Sequence, residues 1–246
     1  LNSKLNKFSY RVLKEDCLDL PEKVYMKRIV SLTPEQLKAY TEMKKHALTE
    51  LEGKQTSAAS ALAQLIRLHQ ITCGHLATDD GEVKSLKNNR LNELLNILEE
   101  IDGKVIIWAV YRHDIIQIGN TLKSKFGEQS VETFFGDTAD GDRQDIVSRF
   151  QDRDSDLRFF VGNPRTGGYG LTLTASHTVV YYSNSYDLEI RLQSEDRAHR
   201  ISQKHKVTYI DLISEGTVDE FIVKNLRGKI NLATKVLGED LKRWLI

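Results

Sequence analysis

Three absences narrow what this chain of 246 residues can be. Its two cysteines, Cys17 and Cys73, lie far apart, so we predict no disulfide framework and expect a reducing compartment. No apolar run is long enough to span a bilayer, and no signal-peptide pattern opens the chain, so we expect no membrane association. Lysine and arginine total 35, as do aspartate and glutamate, and this balance argues against a strong free-standing nucleic-acid binder.

A metal site is also not predicted. His69, Cys73 and His75 are close in sequence, but a structural zinc site needs a fourth ligand and usually a paired spacing such as C-x-x-C. Neither is present. The chain begins at Leu1 rather than at methionine, which indicates a fragment or a processed chain.

Short apolar segments alternate with amphipathic ones along most of the sequence, and this pattern predicts an α/β fold. Because a strand buried on both faces is continuously apolar, Lys104–Tyr111 (KVIIWAVY) is typical of a parallel strand. We expect a parallel sheet with helices on both faces. Before it, Thr33 with Gln36 forms a capping box that opens a helix, and a second helix over Ala58–Thr72 completes a helical hairpin. The other predicted strands are Val24–Leu32, Ser130–Phe135, Leu157–Val161, Thr178–Tyr182 and Lys206–Ile213.

One predicted helix carries two arginines. The segment Tyr186–Gln203 reads YDLEIRLQSEDRAHRISQ, with Asp187 as its N-cap. In a helix, Gln193, Arg197 and Arg200 share one face, while Leu188 and Leu192 bury the other side. Two neighbouring guanidiniums favour an anion between them, and phosphate oxygens match the guanidinium fork. The alternative is a solvated face on which the arginines pair with Glu189, Glu195 and Asp196.

A glycine-rich segment precedes that helix. Residues Gly162–Ala175 read GNPRTGGYGLTLTA and directly follow a predicted strand. Glycine lets backbone N–H groups approach a phosphate closely, although such pairs are often only tight turns. Ligands of parallel sheets bind at the carboxyl ends of the strands, where Arg112, Gly136 with Asp137 and the Arg165 loop are expected.

Together the two segments resemble motifs V and VI of the second RecA-like lobe of superfamily-two helicases, specifically of the Swi/Snf-type DNA translocases. The family pattern is GGxGLNLT followed by QxxDRxHRxGQ, and this chain has GGYGLTLT and QSEDRAHRISQ. It departs from the pattern at Thr172, at Ser202 and at Asn163-Pro164. The turn DLPEK at 19–23 and the segment TVDE at 217–220 also match the family. The HRxGRxGR pattern of DEAD-box RNA helicases is absent.

This resemblance implies two regions, an inter-lobe segment with the helical hairpin at 1–85 and a C-terminal RecA-like lobe at 86–246. It implies that Arg200 is an arginine finger and Arg197 its phosphate-contacting partner in a cleft that binds ATP. Other residues are assigned in the same way: Gly168, Gly170 and Gln193 would line the ATP cleft, and Arg112, Gly136, Arg165, Thr166 and Thr172 would contact the DNA backbone.

The sequence contains no Walker A loop, G-x-x-x-x-G-K-[ST], and no D-E-x-H run. We therefore interpret it as half of a split active site, whose N-terminal lobe would hold ATP and Mg²⁺. The alternative is a non-catalytic lobe that binds DNA or protein. We expect a cytoplasmic protein of bacterial or phage origin, or a nuclear one if the source is eukaryotic.

Overall fold

The computed structural model describes residues 19–52, 58–77, 82–166 and 170–237. Cys17 and residues 53–57, between the two helices of the predicted hairpin, lie outside these ranges. The strands are β1 (Lys23–Ile29), β2 (His75–Ala77), β3 (Val83–Ser85), β4 (Val105–Trp108), β5 (Val131–Phe134), β6 (Phe159–Gly162), β7 (Thr178–Tyr181) and β8 (Val207–Ile213). The helices are α1 (Pro34–Glu52), α2 (Ala58–Cys73), α3 (Arg90–Glu100), α4 (Arg112–Phe126), α5 (Asp140–Gln151), α6 (Leu188–Ala198) and α7 (Val218–Leu237).

Six parallel strands form the main sheet, in the order β1-β8-β7-β4-β6-β5. The central strand β4 is fully buried because helices cover both of its faces. Val105 and Ile107 pack in one core with residues of α3 and α4, whereas Ile106 and Trp108 pack in a second core with residues of α5. The predicted α/β architecture with a RecA-like parallel sheet is thus confirmed.

The sheet extends beyond the predicted lobe boundary. Strand β1 lies in region 1–85, yet it pairs with β8 along its whole length, from Lys23 beside Val207 to Ile29 beside Ile213. Helices α1 and α2 pack against each other. The capping box of α1 is present, since the Gln36 N–H donates to Thr33 Oγ1 at 3.2 Å and the Thr33 N–H donates to Gln36 Oε1 at 3.1 Å.

A buried arginine joins the hairpin side of the molecule to the sheet. Arg90, the first residue of α3, is 1% exposed, and its guanidinium donates to the carbonyl oxygens of Thr72, Tyr182 and Leu212. It also donates to the Ser214 hydroxyl and to the carboxylate of Asp219 in α7. Helix α7 continues through Gly228 without a break.

Candidate functional site

Helix α6 begins as predicted and ends earlier than predicted. The Asp187 carboxylate accepts a hydrogen bond from the Glu189 N–H at 2.9 Å, which caps the first turn. The helix ends at Ala198, so the prediction of one helix through Arg200 is wrong. The buried amide of Gln203 explains the ending, because its Nε2 donates to the carbonyl oxygens of Ala198, Thr174 and Ser176 at 3.0–3.2 Å.

The residues that follow the end of α6 bring Arg200 into contact with the glycine-rich segment. Its Nη1 donates to Thr172 Oγ1 at 2.9 Å and to the carbonyl oxygens of Gly170 and Leu171 at 3.3 Å each. Gly170 has a φ of +70°, a conformation that suits glycine. The two sequence motifs, 28 residues apart at this contact, therefore meet in the fold.

Arg197 contacts the same segment from the last turn of α6. Its Nη1 lies 3.5 Å from the Leu171 carbonyl oxygen, and its own carbonyl accepts from the Leu173 N–H at 2.9 Å. Burial lowers the pKa of the Arg197 guanidinium and the charge of Arg200 lowers it further, against the opposing effect of Asp196. The two positive charges thus act on each other at this surface.

The acceptors of Arg200 are neutral, so its charge is not cancelled there. Within the described ranges no carboxylate lies at ion-pair distance from Arg200, whose side chain is exposed. A guanidinium held by neutral oxygens keeps its other N–H groups available for an anionic ligand. Arg200 thus contacts the glycine-rich segment rather than the carboxylates with which the solvated-face alternative pairs the arginines.

The other residues predicted to line the ATP cleft are less well placed or not described. The Gln193 side chain lies on α6 and donates to Glu189 Oε1 at 2.9 Å, one turn away from the contacts of Arg197. Gly168 lies outside the described residues, whereas Gly170 is exposed and touches Arg200 through its carbonyl.

Most of the predicted DNA-contacting residues lie at one edge of the sheet. Arg112, Gly136 and Arg165 follow β4, β5 and β6, which are adjacent strands. Because the strands are parallel, these three loops share the carboxyl edge. Arg112 is exposed and lies 2.5 Å from the carboxylate of Asp137.

Two threonines complete that set. Thr166 is half-buried, next to Arg165 in the loop after β6. The side chain of Asn163 braces this loop, since Asn163 Nδ2 donates to the Val110 carbonyl at 2.8 Å and Oδ1 accepts from the Arg165 N–H at 2.9 Å. Thr172 lies apart from them, and its hydroxyl oxygen accepts a hydrogen bond from Arg200.

A buried ionic cluster beneath α6 was not foreseen. Arg191 Nε donates to Glu195 Oε1 at 2.8 Å, and Arg191 Nη1 donates to Asp211 Oδ1 at 2.5 Å. The sequence predicts a buried Leu192, and only its solvated-face alternative places Glu195 in solvent. Instead Leu192 is 38% exposed and Glu195 is 0% exposed. The one signal in the sequence was the i,i+4 spacing of Arg191 and Glu195, which also suits an exposed helix face.

His69 and Cys73, in α2, and His75, at the start of β2, are all buried. His69 Nδ1 lies 2.9 Å from the Tyr111 hydroxyl, and His75 Nδ1 lies 2.9 Å from an oxygen of Asp114. In the part of the chain that the structure covers, no group of three or more His, Cys, Asp or Glu residues could hold a metal ion. None of the helices in those ranges is long and apolar enough to cross a membrane.

Comparison with known proteins gives a family match and several relatives. The family described as "Helicase conserved C-terminal domain" matches residues 86–202. The chain is 30% identical over 246 residues to YwqA of Bacillus subtilis (strain 168), provisionally named an ATP-dependent helicase/translocase. It is 27% identical over 254 residues to the SWI/SNF chromatin-remodeling complex subunit snf22 of Schizosaccharomyces pombe. These alignments cover 94% and 96% of this chain but 26% and 15% of the relatives, so the chain spans about a quarter of their length or less.

A solved structure agrees with these matches. The chain superposes on the Sulfolobus solfataricus SWI2/SNF2 ATPase core in complex with dsDNA, with a TM-score of 0.67 and 26% identity. That superposition covers 98% of this chain and 51% of the other.

Proposed function

We propose a function for this chain on the premise that it belongs to the Swi/Snf-type helicases, as a C-terminal RecA-like lobe. The whole protein is then an ATP-driven DNA translocase or helicase, and this lobe supplies one wall of its ATP site. The observation that carries the proposal is the contact of Arg197 and Arg200 with residues 170–173.

The role of the arginines follows from their charge and their position. The N-terminal lobe holds the nucleotide phosphates and Mg²⁺, since residues 1–246 contain no Walker A loop. Arg200 stabilises the negative charge that develops on the transferred phosphoryl group, and Arg197 orients the same phosphate. Because Arg200 is anchored through neutral oxygens, its full charge is available to this transition state.

Contact with DNA uses the carboxyl edge of the sheet. Arg112, Gly136, Arg165 and Thr166 lie at the ends of three adjacent strands, where a polynucleotide backbone can pass over all three loops. Phosphate contacts of this kind carry no sequence information, so translocation is largely independent of sequence. Thr172 acts with the arginine pair instead, because its hydroxyl already accepts a hydrogen bond from Arg200.

The principal protein partner of this lobe is the N-terminal helicase lobe of the same protein. In the proposed division, residues 1–85 connect the lobes and residues 86–246 form the second lobe, with β1 crossing over to extend its sheet. The protein works in the cytoplasm of a bacterium or of a phage-infected cell, or in the nucleus if its source is eukaryotic.

The test is ATP turnover by the full-length protein with Arg200→Ala. An arginine finger contributes roughly 10³-fold or more to kcat, so we expect DNA-stimulated turnover to fall by about that factor while DNA binding without ATP is unchanged. Arg153→Ala is the matched control, because Arg153 is an exposed arginine in the turn between α5 and β6, before the amino end of that strand. Unchanged turnover in Arg200→Ala would refute the proposed role.

A second candidate function is a non-catalytic lobe that binds DNA or protein, which the lack of a Walker A loop favours. The same assay separates the two functions. If the full-length protein binds duplex DNA but hydrolyses no ATP with or without it, the non-catalytic lobe is the better description. Stimulation by RNA but not by duplex DNA would indicate an RNA helicase.

A further inference from the structure

The carboxylate of Glu195 is completely buried in α6, two residues before Arg197. It accepts hydrogen bonds from Lys23 Nζ at 3.0 Å, from the Tyr25 hydroxyl at 2.8 Å and from Arg191 Nε at 2.8 Å. Two of these donors belong to β1, which is 170 residues away in sequence. The carboxylate therefore links α6, which carries Arg197, to β1.

The cluster is balanced in charge. Arg191 also donates to Asp211 and to Asn184 Oδ1, each at 2.5 Å, and its guanidinium lies over the Tyr181 ring at 3.5 Å. Burial raises the pKa of Glu195, but Lys23 and Arg191 outweigh that effect and hold it below its usual value. Two cations thus face two buried carboxylates, and the partly exposed Asp196 lies 3.9 Å from Lys23 Nζ at the edge of the cluster. The loss of one buried charge leaves the others incompletely paired.

A second contact joins the same two parts of the molecule. The Glu195 carbonyl accepts from the His199 N–H at 3.1 Å and from the Tyr209 hydroxyl at 2.9 Å. His199 Nε2 in turn donates to the Pro21 carbonyl at 2.7 Å. The last turn of α6, which carries Arg197 and leads into Arg200, is therefore held from both sides by residues 21–25.

We propose that Glu195 is a positioning residue for ATP hydrolysis. It holds Arg197 and Arg200 in an orientation that depends on the position of residues 21–25, the segment that leads into this lobe. The inference rests on the proposed function, because it needs the arginine pair to act on a phosphate. The partner of Glu195 is residues 21–25 of this same chain, which lie on the side of the N-terminal lobe. Movement of that lobe relative to this one is transmitted to the arginines through Lys23, Tyr25 and the buried carboxylate.

Glu195→Gln in the full-length protein tests this role, since glutamine keeps the size of the side chain and removes its charge. A displacement of about 1 Å in a catalytic group can cost up to roughly 10²-fold, so we expect kcat to fall about tenfold, less than in Arg200→Ala. The KM for ATP and the affinity for DNA should be unchanged, because the arginine acts on the transition state.

Lys23→Met gives an independent test from the other side of the contact. It should reproduce the fall in kcat, and Lys23→Arg should restore most of it. The double variant Lys23→Met/Glu195→Gln should be no slower than either single variant, since each single variant already removes the same contact between Lys23 and Glu195.

Asp219→Asn is the matched control, because Asp219 is also a buried carboxylate paired with an arginine but lies in α7, away from the arginine pair. It should lower the thermal midpoint and leave kcat unchanged at a temperature well below the midpoints of all variants. An equal fall of kcat in Asp219→Asn and Glu195→Gln would show general destabilisation and overturn the positioning role.

The remaining outcomes separate this inference from the proposed function. If Arg200→Ala loses turnover while Glu195→Gln and Lys23→Met keep it, the positioning role is wrong and the proposed function stands. If Arg200→Ala itself keeps turnover, the proposed function fails, and Glu195 has no catalytic arginine to position.

Discussion

Substitution of Asp219 by asparagine should destabilise the chain strongly. The Asp219 side chain is 4% exposed, and it accepts hydrogen bonds from the Thr72 hydroxyl at 2.8 Å and the Ser214 N–H at 3.0 Å. It is also the carboxylate partner of Arg90, which is itself fully buried. Asparagine fills nearly the same space but leaves the Arg90 guanidinium buried without a counter-charge.

The structure allows the size of this effect to be estimated. Breaking a buried ion pair by removing one partner typically costs about 3–5 kcal/mol. For domains of about 150–250 residues, each kcal/mol shifts the Tm by about 2–4 °C, so Asp219→Asn should lower Tm by roughly 6–20 °C. In the control Glu22→Gln, the lost contact to Lys206 is on the surface, and we expect no measurable shift because exposed ion pairs contribute little.

Thermal unfolding followed by circular dichroism measures both variants, and its pH dependence adds a second test. Burial raises the pKa of Asp219, but Arg90, His69 and the hydrogen bonds outweigh it, so the folded pKa is lowered. The stabilisation is therefore fully present above the unfolded value of about 3.9 and is lost as pH falls through the folded pKa. Asp219→Asn should lose less stability over that acidic range than the wild type. A Tm equal to that of Glu22→Gln at neutral pH would refute this account of the buried pair.

Two further predictions concern acid sensitivity and DNA affinity. Burial lowers the pKa of His69 to about 4, so the folded state resists its protonation. The free energy of unfolding of the wild type should therefore fall by about 3 kcal/mol between pH 6.5 and 4. His69→Gln should reduce this fall, and an equal fall in both proteins, measured by urea titration at each pH, would contradict the assignment. Arg165→Ala in the full-length protein should reduce the slope of log K against log salt for duplex DNA by about 1, as loss of one phosphate contact requires. The exposed Arg153→Ala should leave that slope as it is, and equal slopes for both variants would remove Arg165 from the DNA contact.

The sequence was informative wherever the structure depends on neighbouring residues. The run KVIIWAVY predicts a buried strand, and β4 lies within it as the centre of the sheet. The capping box of Thr33 and Gln36 is satisfied within four residues, so it could be predicted from local chemistry. Helical periodicity placed Arg197 and Arg200 on one face, and the family resemblance assigned them to one cleft. Both contact the Leu171 carbonyl, although Arg200 lies beyond the end of α6.

The errors arose where distant residues decide the structure. Helix α6 ends at Ala198 because Gln203 binds carbonyl groups of residues 174 and 176, which are 29 and 27 positions away. Glu195 is buried because Arg191 and Lys23 surround it, whereas hydrophobic periodicity assigns charged residues to the surface. Buried ion pairs are therefore a class of core contact that a search for apolar patterns does not detect.

The place of β1 in the sheet has a consequence for synthesis on the ribosome. Among the strands described, β1 is made first, yet its neighbour is β8, whose paired residue Val207 follows Lys23 by 184 positions (207 − 23). At roughly 5–20 residues per second, β1 waits about 10–40 seconds for its partner. During that time its backbone hydrogen-bonding groups are open to other chains, as in any unpaired edge strand. We expect the nascent chain to depend on chaperones over this interval. We also expect β1, the first of the described strands to be synthesised, to be among the last to pair.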